Sequence, residues 1–326
     1  MERKLNLNRS QMLSVLKKCY WVKTEAAKAL RVSEACIRRE CIRLDIDIEQ
    51  EKVKGIDDFE IKKVKASKSK NKKKFIKGRF VILPDIHDKN VDWDVLDAVC
   101  EFIKDYRPEY VMQLGDLLDY ECLMEKRNQK YPSFDGRDLE SLKEGYYYAS
   151  IIINKINEVC PQGCIKVILE GNHEYRSSVV IEKSEFLRDI LCYERNIDFS
   201  GWEIHKYLEP YKLGKLYIIH GEFFGENHIQ KHLRYYQKNI AYGHTHDIQT
   251  GSMASPLREI PIYGWSLGCL CNLSPMYQNK KSSSWSHGFG YGVFDEKSGD
   301  FDLTAKRIIH KKFWAEGKRY GVMSGK

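Results

Sequence analysis

The sequence lacks any long hydrophobic run. No stretch approaches the roughly 18 consecutive apolar residues that would cross a bilayer, and residues 1–6 lack the apolar core of a signal peptide. With 42% hydrophobic and 31% charged residues, the composition is ordinary for a globular chain in water. These absences predict a cytoplasmic protein with no membrane partner. At 326 residues, the chain is long enough for one large domain and a small one.

Paired Cys-x-x-Cys motifs are also missing. Ten cysteines are scattered along the chain, and the two closest pairs, Cys160/Cys164 and Cys269/Cys271, do not have the spacing of a zinc ribbon. We therefore expect free, reduced thiols in a reducing compartment. An unrecognised thiolate site is the alternative that this scattered spacing leaves open.

Positive charge is concentrated at one end of a chain whose formal net charge is +8. Residues 1–80 hold 23 Lys and Arg against 11 Asp and Glu, whereas residues 81–326 hold 31 against 35. This asymmetry indicates a basic N-terminal part attached to a mildly acidic domain. We predict a helical module over 1–47, a basic linker over 48–77, a large domain over 78–312 and a tail over 313–326. The lysine-rich linker could be no more than a solvated connection.

The first 44 residues have the pattern of short helices. Thr24 is a plausible N-cap for a helix to residue 30, and Ser33 is a plausible N-cap for a helix to about residue 44. In the second of these helices, Ile37 and Cys41 are expected to face inwards. Two short helices joined by a tight turn form a helix-turn-helix, whose second helix can enter the DNA major groove.

Three arginines on this second helix are candidate DNA contacts: Arg38, Arg39 and Arg43. The stretch 24–33 resembles the helix-turn-helix of the factor-for-inversion-stimulation type, which implies DNA as a partner. One departure from that pattern is Arg31, which occupies the turn position where the family usually has glycine. A small helical module that docks another protein is the alternative interpretation.

Five short motifs in the remainder carry metal-binding side chains. They are Asp85-Ile86-His87, Gly115-Asp116-Leu117-Leu118-Asp119, Gly171-Asn172-His173-Glu174, His220-Gly221 and Gly243-His244-Thr245-His246. Four of them follow short apolar runs that end at a glycine or polar residue, as buried strands do. Because ligands gather beyond the carboxyl ends of strands in open α/β sheets, we expect these loops to meet at one edge of a sheet.

The motifs supply carboxylate, amide and imidazole donors. This oxygen and nitrogen set, without thiolate, favours manganese, iron or zinc over calcium, and manganese is the first expectation. Two divalent cations about 3.5–4 Å apart can clamp a phosphoryl oxygen and activate a water molecule as nucleophile. Asp116 comes directly after a strand and a glycine, so it is the natural carboxylate to be shared between two ions.

Together these motifs resemble the calcineurin-like metallophosphoesterases, over roughly residues 78–250. The resemblance implies an α/β fold, a four-layer αββα sandwich of two packed mixed sheets, here preceded by the small all-α module. It also implies two metal sites that share one carboxylate. By that resemblance, the first metal would be bound by Asp85, His87, Asp116 and His246. The second metal would be bound by Asp116, Asn172, His220 and His244.

The same resemblance implies roles for three residues that are not ligands. His173 would protonate the leaving oxygen or stabilise the transition state. Asp119 and Glu174 would orient a ligand or the catalytic histidine. His228 and His232 match none of the motifs, and we interpret them as surface or structural residues.

Departures within the motifs bear on the substrate. Ser/Thr phosphatases of this family have phosphate-binding arginines where this chain has Tyr120 and Glu170. A singly charged diester therefore fits better than a dianionic monoester. With the basic N-terminal module, this suggests a DNA-directed nuclease, in which a tethered DNA-binding arm raises the local substrate concentration.

Two other functions remain open. The chain could be a phosphatase or nucleotide phosphodiesterase whose N-terminal module docks a partner. A non-enzymatic scaffold is disfavoured, because no ligand of the motifs is missing. Aromatic residues near the C-terminus, including Trp285, could stack on bases or simply pack in the core. Many relatives dimerise, so a homodimer stays an open expectation.

Overall fold

The computed structural model describes residues 5, 7–19, 23–48, 50–51, 77–274 and 284–321. The chain divides into an N-terminal unit, Met1–Glu60, and a C-terminal unit, Ile61–Lys326. Most of the linker predicted over 48–77 lies outside the described residues. Among the described residues, no helix is long and apolar enough to cross a membrane.

The N-terminal unit contains three short helices: α1 (Arg9–Lys18), α2 (Lys23–Leu30) and α3 (Glu34–Arg43). Ser33 caps α3 as predicted, because its side chain accepts a hydrogen bond from the backbone N–H of Cys36. Helix α2 begins at Lys23, so Thr24 lies inside it rather than at its N-cap. Arg31, in the turn between α2 and α3, has a φ of 54°, the left-handed conformation that glycine adopts most easily.

These helices have a hydrophobic core of their own. Each helix contributes small or aliphatic side chains at helical spacing, and the segment after α3 adds two isoleucines. The buried members are Met12, Leu16, Cys19, Ala26, Ala27, Ile37, Cys41, Ile46 and Ile48. The inward orientation predicted for Ile37 and Cys41 agrees with this core.

The C-terminal unit is built around two mixed sheets. The first sheet comprises β1 (Lys77–Leu83), β2 (Tyr110–Gln113), β3 (Ile165–Leu169), β4 (Trp202–His205), β10 (Gly288–Asp295) and β11 (Phe301–Arg307). The second comprises β5 (Tyr211–Leu213), β6 (Leu216–Ile218), β7 (Asn239–Tyr242), β8 (Ile248–Met253) and β9 (Ile262–Leu267). The six strands of the first sheet are ordered β11-β10-β1-β2-β3-β4, and the five strands of the second are ordered β5-β6-β7-β9-β8.

Strand direction explains where a site can form. Strands β1 to β4 are mutually parallel, and β6, β7 and β9 are parallel in the second sheet. Strands β10 and β11 extend the first sheet antiparallel to their neighbours, and β5 and β8 flank the second in the same way. The carboxyl ends of each parallel group therefore lie at one edge of its sheet.

Helices cover the outer faces of the two sheets. The C-terminal unit contains α4 (Trp93–Tyr106), α5 (Gly136–Val159), α6 (Asn172–Lys183), α7 (Arg188–Leu191), α8 (Tyr193–Asn196) and α9 (His228–Tyr236). Phe102 of α4 packs on Phe289 of β10, with ring centroids 5.4 Å apart. Ile229 and Leu233 of α9 pack on the outer side of the second sheet with Ile240.

Apolar side chains from both sheets meet between them. Phe80 and Ile82 of β1 share one buried cluster with Ile218 of β6, Ala241 of β7 and Leu267 of β9. Burial of these apolar surfaces is the main contribution that holds the sheets face to face. Helix, sheet, sheet and helix give the four layers expected from the sequence, and the predicted fold class is confirmed.

The structure differs from the expected C-terminal tail over 313–326. Strands β12 (Phe313–Ala315) and β13 (Lys318–Tyr320) form a hairpin instead. Phe313 and Tyr320 are buried, and their rings lie 5.9 and 5.3 Å from that of Phe102. The aromatic contact with α4 therefore makes these residues part of the folded unit.

Candidate metal centre

Loops after five strands bring the motif side chains together. Strands β1, β2 and β3 lead into Asp85, Asp116 and Asn172, respectively. In the second sheet, β6 leads into His220, and β7 leads into His244 and His246. The structure thus places all seven predicted ligands at one edge of the sandwich.

Two motif glycines let these loops approach closely. A Cβ at Gly171 would collide with the backbone and carboxylate of Asp116, and a Cβ at Gly243 would collide with the carboxylate of Asp85. Any larger side chain would separate the loops and their ligands. Glycine is therefore needed at both positions for the close approach of backbone to carboxylate.

The first group of ligands is formed by Asp85, His87 and His246. The Nε2 atoms of His87 and His246 lie 3.1 Å apart, and His246 Nε2 lies 2.9 Å from Asp85 Oδ2. The backbone N–H of His244 donates to both Asp85 oxygens, at 2.9 and 3.0 Å. All three side chains are buried. Although burial alone would raise the pKa of the Asp85 carboxyl, the neighbouring imidazoles hold that pKa well below its usual range.

The second group is formed by Asn172, His220 and His244. Asn172 Oδ1 lies 2.8 Å from His220 Nε2 and 2.8 Å from His244 Nδ1. The other ring nitrogen of His220 donates to the carbonyl of Leu114 at 3.0 Å, so its Nε2 is left with a lone pair. A backbone carbonyl behind a ligand imidazole fixes its tautomer in many metal sites.

Asp116 belongs to both groups. A carboxylate oxygen of Asp116 lies within 4.8 Å of ligand atoms of His220 and His244, and a carboxylate oxygen of Asp116 lies within that distance of ligand atoms of Asp85 and His87. Its Oδ2 is 3.5 Å from His220 Nε2, and its Oδ1 accepts from the backbone N–H of His173 at 2.9 Å. This position is the one that the sequence predicted for a shared carboxylate.

The donor set fits two divalent cations. Metal–nitrogen and metal–oxygen bonds of about 2.0–2.2 Å place neighbouring ligand atoms roughly 3 Å apart. The ligand atoms here lie at such distances from one another, and five of the seven ligand side chains are buried. Without a cation between them, several of these contacts would oppose one lone pair to another.

Four of the ligands have unusual backbone conformations. His87, Asp116, His244 and His246 have φ values of 56°, 49°, 64° and 59°. L-residues avoid this left-handed region, at a cost of order 1–3 kcal/mol each. Such strain persists only where contacts with the surrounding protein hold the loop in place. In these loops the left-handed conformation turns each side chain towards the site.

His173 lies beside the two groups. Its Nδ1 donates to the carbonyl of Asp119 at 2.7 Å, and its Nε2 is 3.6 Å from Asp116 Oδ2. Burial lowers the pKa of the His173 imidazole, while the charges of Asp116 and Asp119 oppose that shift. The ring therefore directs one nitrogen towards the ligands and anchors the other.

Asp119 lies between two imidazoles. Its Oδ1 is 3.1 Å from Nδ1 of His173 and 3.4 Å from Nδ1 of His87. Its Oδ2 accepts from Asn90 at 2.9 Å, and its N–H donates to Asp88 Oδ2 at 2.8 Å. One carboxylate thus orients a predicted ligand and the predicted catalytic histidine.

Glu174 contacts only backbone groups among the hydrogen bonds of this centre. Its Oε2 accepts from the N–H groups of Asp116 and Gly171, each at 2.9 Å, and its Oε1 accepts from Leu118 at 2.8 Å. Burial, with the charge of Asp116, raises the pKa of Glu174 to about 7. It positions the loop after β2 against the start of α6 and does not reach the reacting centre.

A cavity of about 770 Å³ opens onto the ligands. His87, Asp116, Asn172 and His246 contribute to its floor, and Trp285 contributes to its wall. The Trp285 ring lies edge-on to that of His246, with centroids 4.1 Å apart. Among the C-terminal aromatic residues that the structure describes, Trp285 is therefore the one beside the ligands.

Sequence reasoning missed several buried groups around this centre. His228 bonds to the hydroxyl of Tyr242 at 2.7 Å and to Asp247 at 3.1 Å, next to His246. His232 accepts from the N–H of Glu222 at 3.0 Å, just after the His220 motif. Both histidines are buried, so their structural interpretation fits and the surface alternative does not. Their i, i+4 spacing with apolar neighbours on one helix face was the available signal.

The three candidate DNA contacts lie on α3, in the N-terminal unit, and are exposed. Arg38 pairs with Glu34 at 2.6 Å. Arg43 pairs with Glu40 at 2.7 Å and also donates to the carbonyl of Leu7 at 2.8 Å. Arg43 therefore connects α3 to the segment before α1. Arg38 and Arg39 lie nearer the start of α3, on its solvent-exposed face.

Two phage proteins are similar to most of this chain. The "Gene 54 protein" of Mycobacterium phage D29 is 25% identical over 265 residues, covering 75% of this chain and 99% of that protein. The "Gene 54 protein" of Mycobacterium phage L5 is 23% identical over 266 residues, covering 75% and 99%.

Two solved structures are also similar. TT1561 of Thermus thermophilus has a TM-score of 0.30 at 9% identity, covering 70% of this chain and 98% of its own. Vps29 of Chaetomium thermophilum has a TM-score of 0.34 at 6% identity, covering 69% and 95%.

The sequence model of one family matches residues 78–248, the stretch that carries every predicted ligand. That family is described as calcineurin-like phosphoesterase. Because the match spans more than half of the chain and includes both ligand groups, this protein belongs to the calcineurin-like phosphoesterase family and is a metal-dependent phosphoester hydrolase.

Proposed function

We propose that the protein is a nuclease that hydrolyses DNA phosphodiester bonds, with manganese as the first metal to test. When bound, two divalent cations polarise the phosphoryl group and lower the pKa of an attacking water. Asp85, His87, Asp116 and His246 would hold one ion, and Asp116, Asn172, His220 and His244 the other. All ten cysteines are free thiols, which suits the reducing cytoplasm that we propose as its location.

The choice of a diester rests on two residues next to the motifs in the sequence. Tyr120 is buried and bonds to Tyr146 at 2.9 Å and to the carbonyl of Leu191 at 2.8 Å. Glu170 is also buried, and it accepts from the N–H of Tyr207 at 2.9 Å. At the two positions where phosphatases have phosphate-binding arginines, this chain therefore has side chains committed to other partners.

Few cations remain to bind a dianionic phosphate. Among the described residues that line the cavity, Lys126 and Arg176 are cationic. Lys126 pairs with Asp138 at 2.7 Å, and Arg176 donates to the carbonyl of Asp119 at 3.0 Å. A substrate with one negative charge per phosphate suits this cavity better than a monoester.

His173 supplies the proton in this proposal. When a P–O bond of the diester breaks, the leaving oxygen must take up a proton. The imidazolium form of His173 presents Nε2–H on the side of the ligands, and the carboxylate of Asp119 stabilises that form from behind.

The outward face of α3 is the observation that carries the choice of DNA. Ala35, Arg38, Arg39 and Ile42 recur at helical spacing and are all exposed, and Ile42 is 80% exposed. Guanidinium groups can contact phosphates or guanine, and small apolar groups can contact thymine methyls in the major groove. A DNA-contacting face would explain why Ile42 is exposed to solvent beside Arg38 and Arg39.

Trp285 supports a nucleic-acid substrate in a second way. Its ring is half-buried in the wall of the cavity, beside His246. Stacking of a base on an aromatic ring contributes about 1–3 kcal/mol in single-strand binding sites. A nucleotide next to the scissile phosphate could stack on this ring.

The test compares DNA with a small diester. End-labelled single- and double-stranded DNA, and bis(p-nitrophenyl) phosphate, would be incubated with manganese and each protein. The variants are His173→Ala, the double variant Arg38→Ala/Arg39→Ala, and the matched double variant Lys17→Ala/Lys18→Ala on the exposed end of α1.

We expect His173→Ala to slow both reactions by about 10²–10⁴-fold. Replacing the two arginines should weaken DNA binding and make the slope of log affinity against log salt concentration shallower by about two. Hydrolysis of the small diester should stay unchanged. The lysine pair should have the smaller effect on DNA. Hydrolysis of the small diester without DNA cleavage would instead favour a nucleotide phosphodiesterase or phosphatase whose N-terminal unit docks a partner.

A further inference from the structure

A buried thiol lies beside the first group of ligands. Cys271 follows β9 and is 1% exposed. Its Sγ, one ring nitrogen of His87 and one ring nitrogen of His246 all lie within 4.8 Å of one another. None of the five motifs contains this residue, and it comes 25 positions after the last of them.

Backbone hydrogen bonds hold Cys271 against the loop that carries Asp85 and His87. Before it, the N–H of Leu270 donates to the carbonyl of Asp85 at 2.8 Å, and the carbonyl of Leu270 accepts from the N–H of Asp92 at 2.9 Å. After it, the N–H of Asn272 donates to the carbonyl of Asn90 at 2.7 Å.

The carbonyl of Cys271 itself is also engaged. It accepts from His287 Nε2 at 2.8 Å, and His287 is buried. The segment is therefore fixed on both sides of the thiol, and the position of Sγ relative to His87 is set before any ligand binds. Pre-organised donors of this kind are what a metal site requires.

We infer that Cys271 Sγ is a further ligand of the first metal, beside Asp85, His87 and His246, and that it makes this position prefer iron or zinc to manganese. Thiolate is a soft donor, and it selects softer ions than carboxylate does. On binding, the S–H proton leaves to the buffer and a sulfur lone pair forms the bond to the metal. The inference rests on the proposed metal chemistry and is independent of DNA as the substrate.

The second metal position has no such thiol among its predicted ligands. Asp116, Asn172, His220 and His244 offer oxygen and nitrogen donors. Manganese therefore remains the expectation there, and the inference predicts two positions of different metal preference.

Cys269 provides a matched control. It is also fully buried, only two residues away, and its Sγ faces the carbonyl of Cys271 at 3.9 Å. It does not belong to the cluster of His87, His246 and Cys271. Replacing either cysteine with serine changes one buried atom of similar size.

The experiment uses cobalt as a spectroscopic probe. Wild type, Cys271→Ser and Cys269→Ser would be loaded with Co²⁺. The amount of cobalt bound per protein would be measured by elemental mass spectrometry. A cobalt–thiolate bond gives a charge-transfer band in the near ultraviolet. We expect that band in wild type and Cys269→Ser, and its loss in Cys271→Ser. We also expect zinc affinity at one site of Cys271→Ser to fall at least about tenfold relative to manganese affinity.

X-ray absorption of the zinc-loaded wild type needs no variant, so it decides the question even if Cys271→Ser does not fold. We expect a zinc–sulfur distance of about 2.3 Å. A wild type that binds cobalt and hydrolyses the small diester, but shows neither the band nor zinc–sulfur scattering, would overturn the thiolate ligand alone. A protein that binds neither metal would overturn the metal centre as well.

Discussion

At the scale of single residues, the centre depends on side chains that are aimed by their surroundings. Asp119 illustrates this, because one carboxylate faces ring nitrogens of both His87 and His173. Its own position is fixed by Asn90 and by the carboxylate of Asp88. Loss of its charge would therefore affect metal binding and proton transfer together.

We predict that Asp119→Asn lowers metal affinity by about 10–100-fold, the usual effect of losing a group that orients a ligand. Turnover of the small diester at saturating metal should also fall at least about tenfold, since an amide cannot stabilise the imidazolium of His173. Equilibrium dialysis and steady-state kinetics measure the two effects separately. Asp138→Asn, in the cavity wall, is the control, and equal metal affinity in the wild type and Asp119→Asn would refute the orienting role.

At the scale of elements, α9 holds the loop that follows the His220 motif. His232 accepts hydrogen bonds from the N–H groups of Glu222 and Phe223, and its Nδ1 donates to the carbonyl of His228 at 2.8 Å. The ring must therefore be neutral in the folded protein. Burial accordingly lowers the pKa of His232 to about 4.

This pKa predicts a loss of stability in acid. Below the ordinary histidine pKa of about 6.5, His232 becomes protonated in the unfolded chain, whereas in the folded chain it stays neutral until about pH 4. The contribution of His232 to the free energy of unfolding is fully present above about pH 6.5, and it falls by about 3 kcal/mol by about pH 4. In urea unfolding at several pH values, the free energy of unfolding of His232→Gln should fall less at acid pH than that of the wild type. Parallel curves for the two proteins would contradict the prediction.

At the scale of the whole molecule, each of the two units has its own core. The helices of the N-terminal unit pack around Met12, Leu16 and Ile37, whereas the sheets of the C-terminal unit pack around another cluster. All seven predicted ligands belong to the C-terminal unit. Metal binding should therefore stabilise that unit directly.

We predict that manganese slows hydrogen exchange at the ligand loops, over residues 85–88, 116–119, 171–174 and 243–246, and leaves exchange in α1–α3 unchanged. A hundredfold excess over the dissociation constant stabilises the binding unit by about 2.7 kcal/mol. Exchange measured by mass spectrometry with manganese or with chelator gives the comparison. Asp116→Ala should abolish the effect, and equal protection of α1–α3 would show that the units are coupled.

The sequence alone determined the features that depend on neighbouring residues. The ends of short apolar runs predicted where strands stop, and therefore where Asp85, Asp116 and Asn172 would be presented. The N-cap at Ser33 was likewise predictable, because a cap is made by residues three positions apart. The convergence of the five motifs was predictable, since each motif lies shortly after a strand end and the parallel order brings those ends to one edge.

Only the tertiary structure decided the contacts between segments that are distant in the chain. It placed Cys271 beside His87, assigned the carboxylate of Glu174 to three backbone N–H groups, and packed the hairpin of residues 313–320 on α4. It also put His87 and Asp116 in left-handed conformations. Such features depend on which strands pair, in which register, and on how loops pack across the sheet edge. No local pattern encodes them, because their stabilising partners are side chains and backbone groups that only folding brings together.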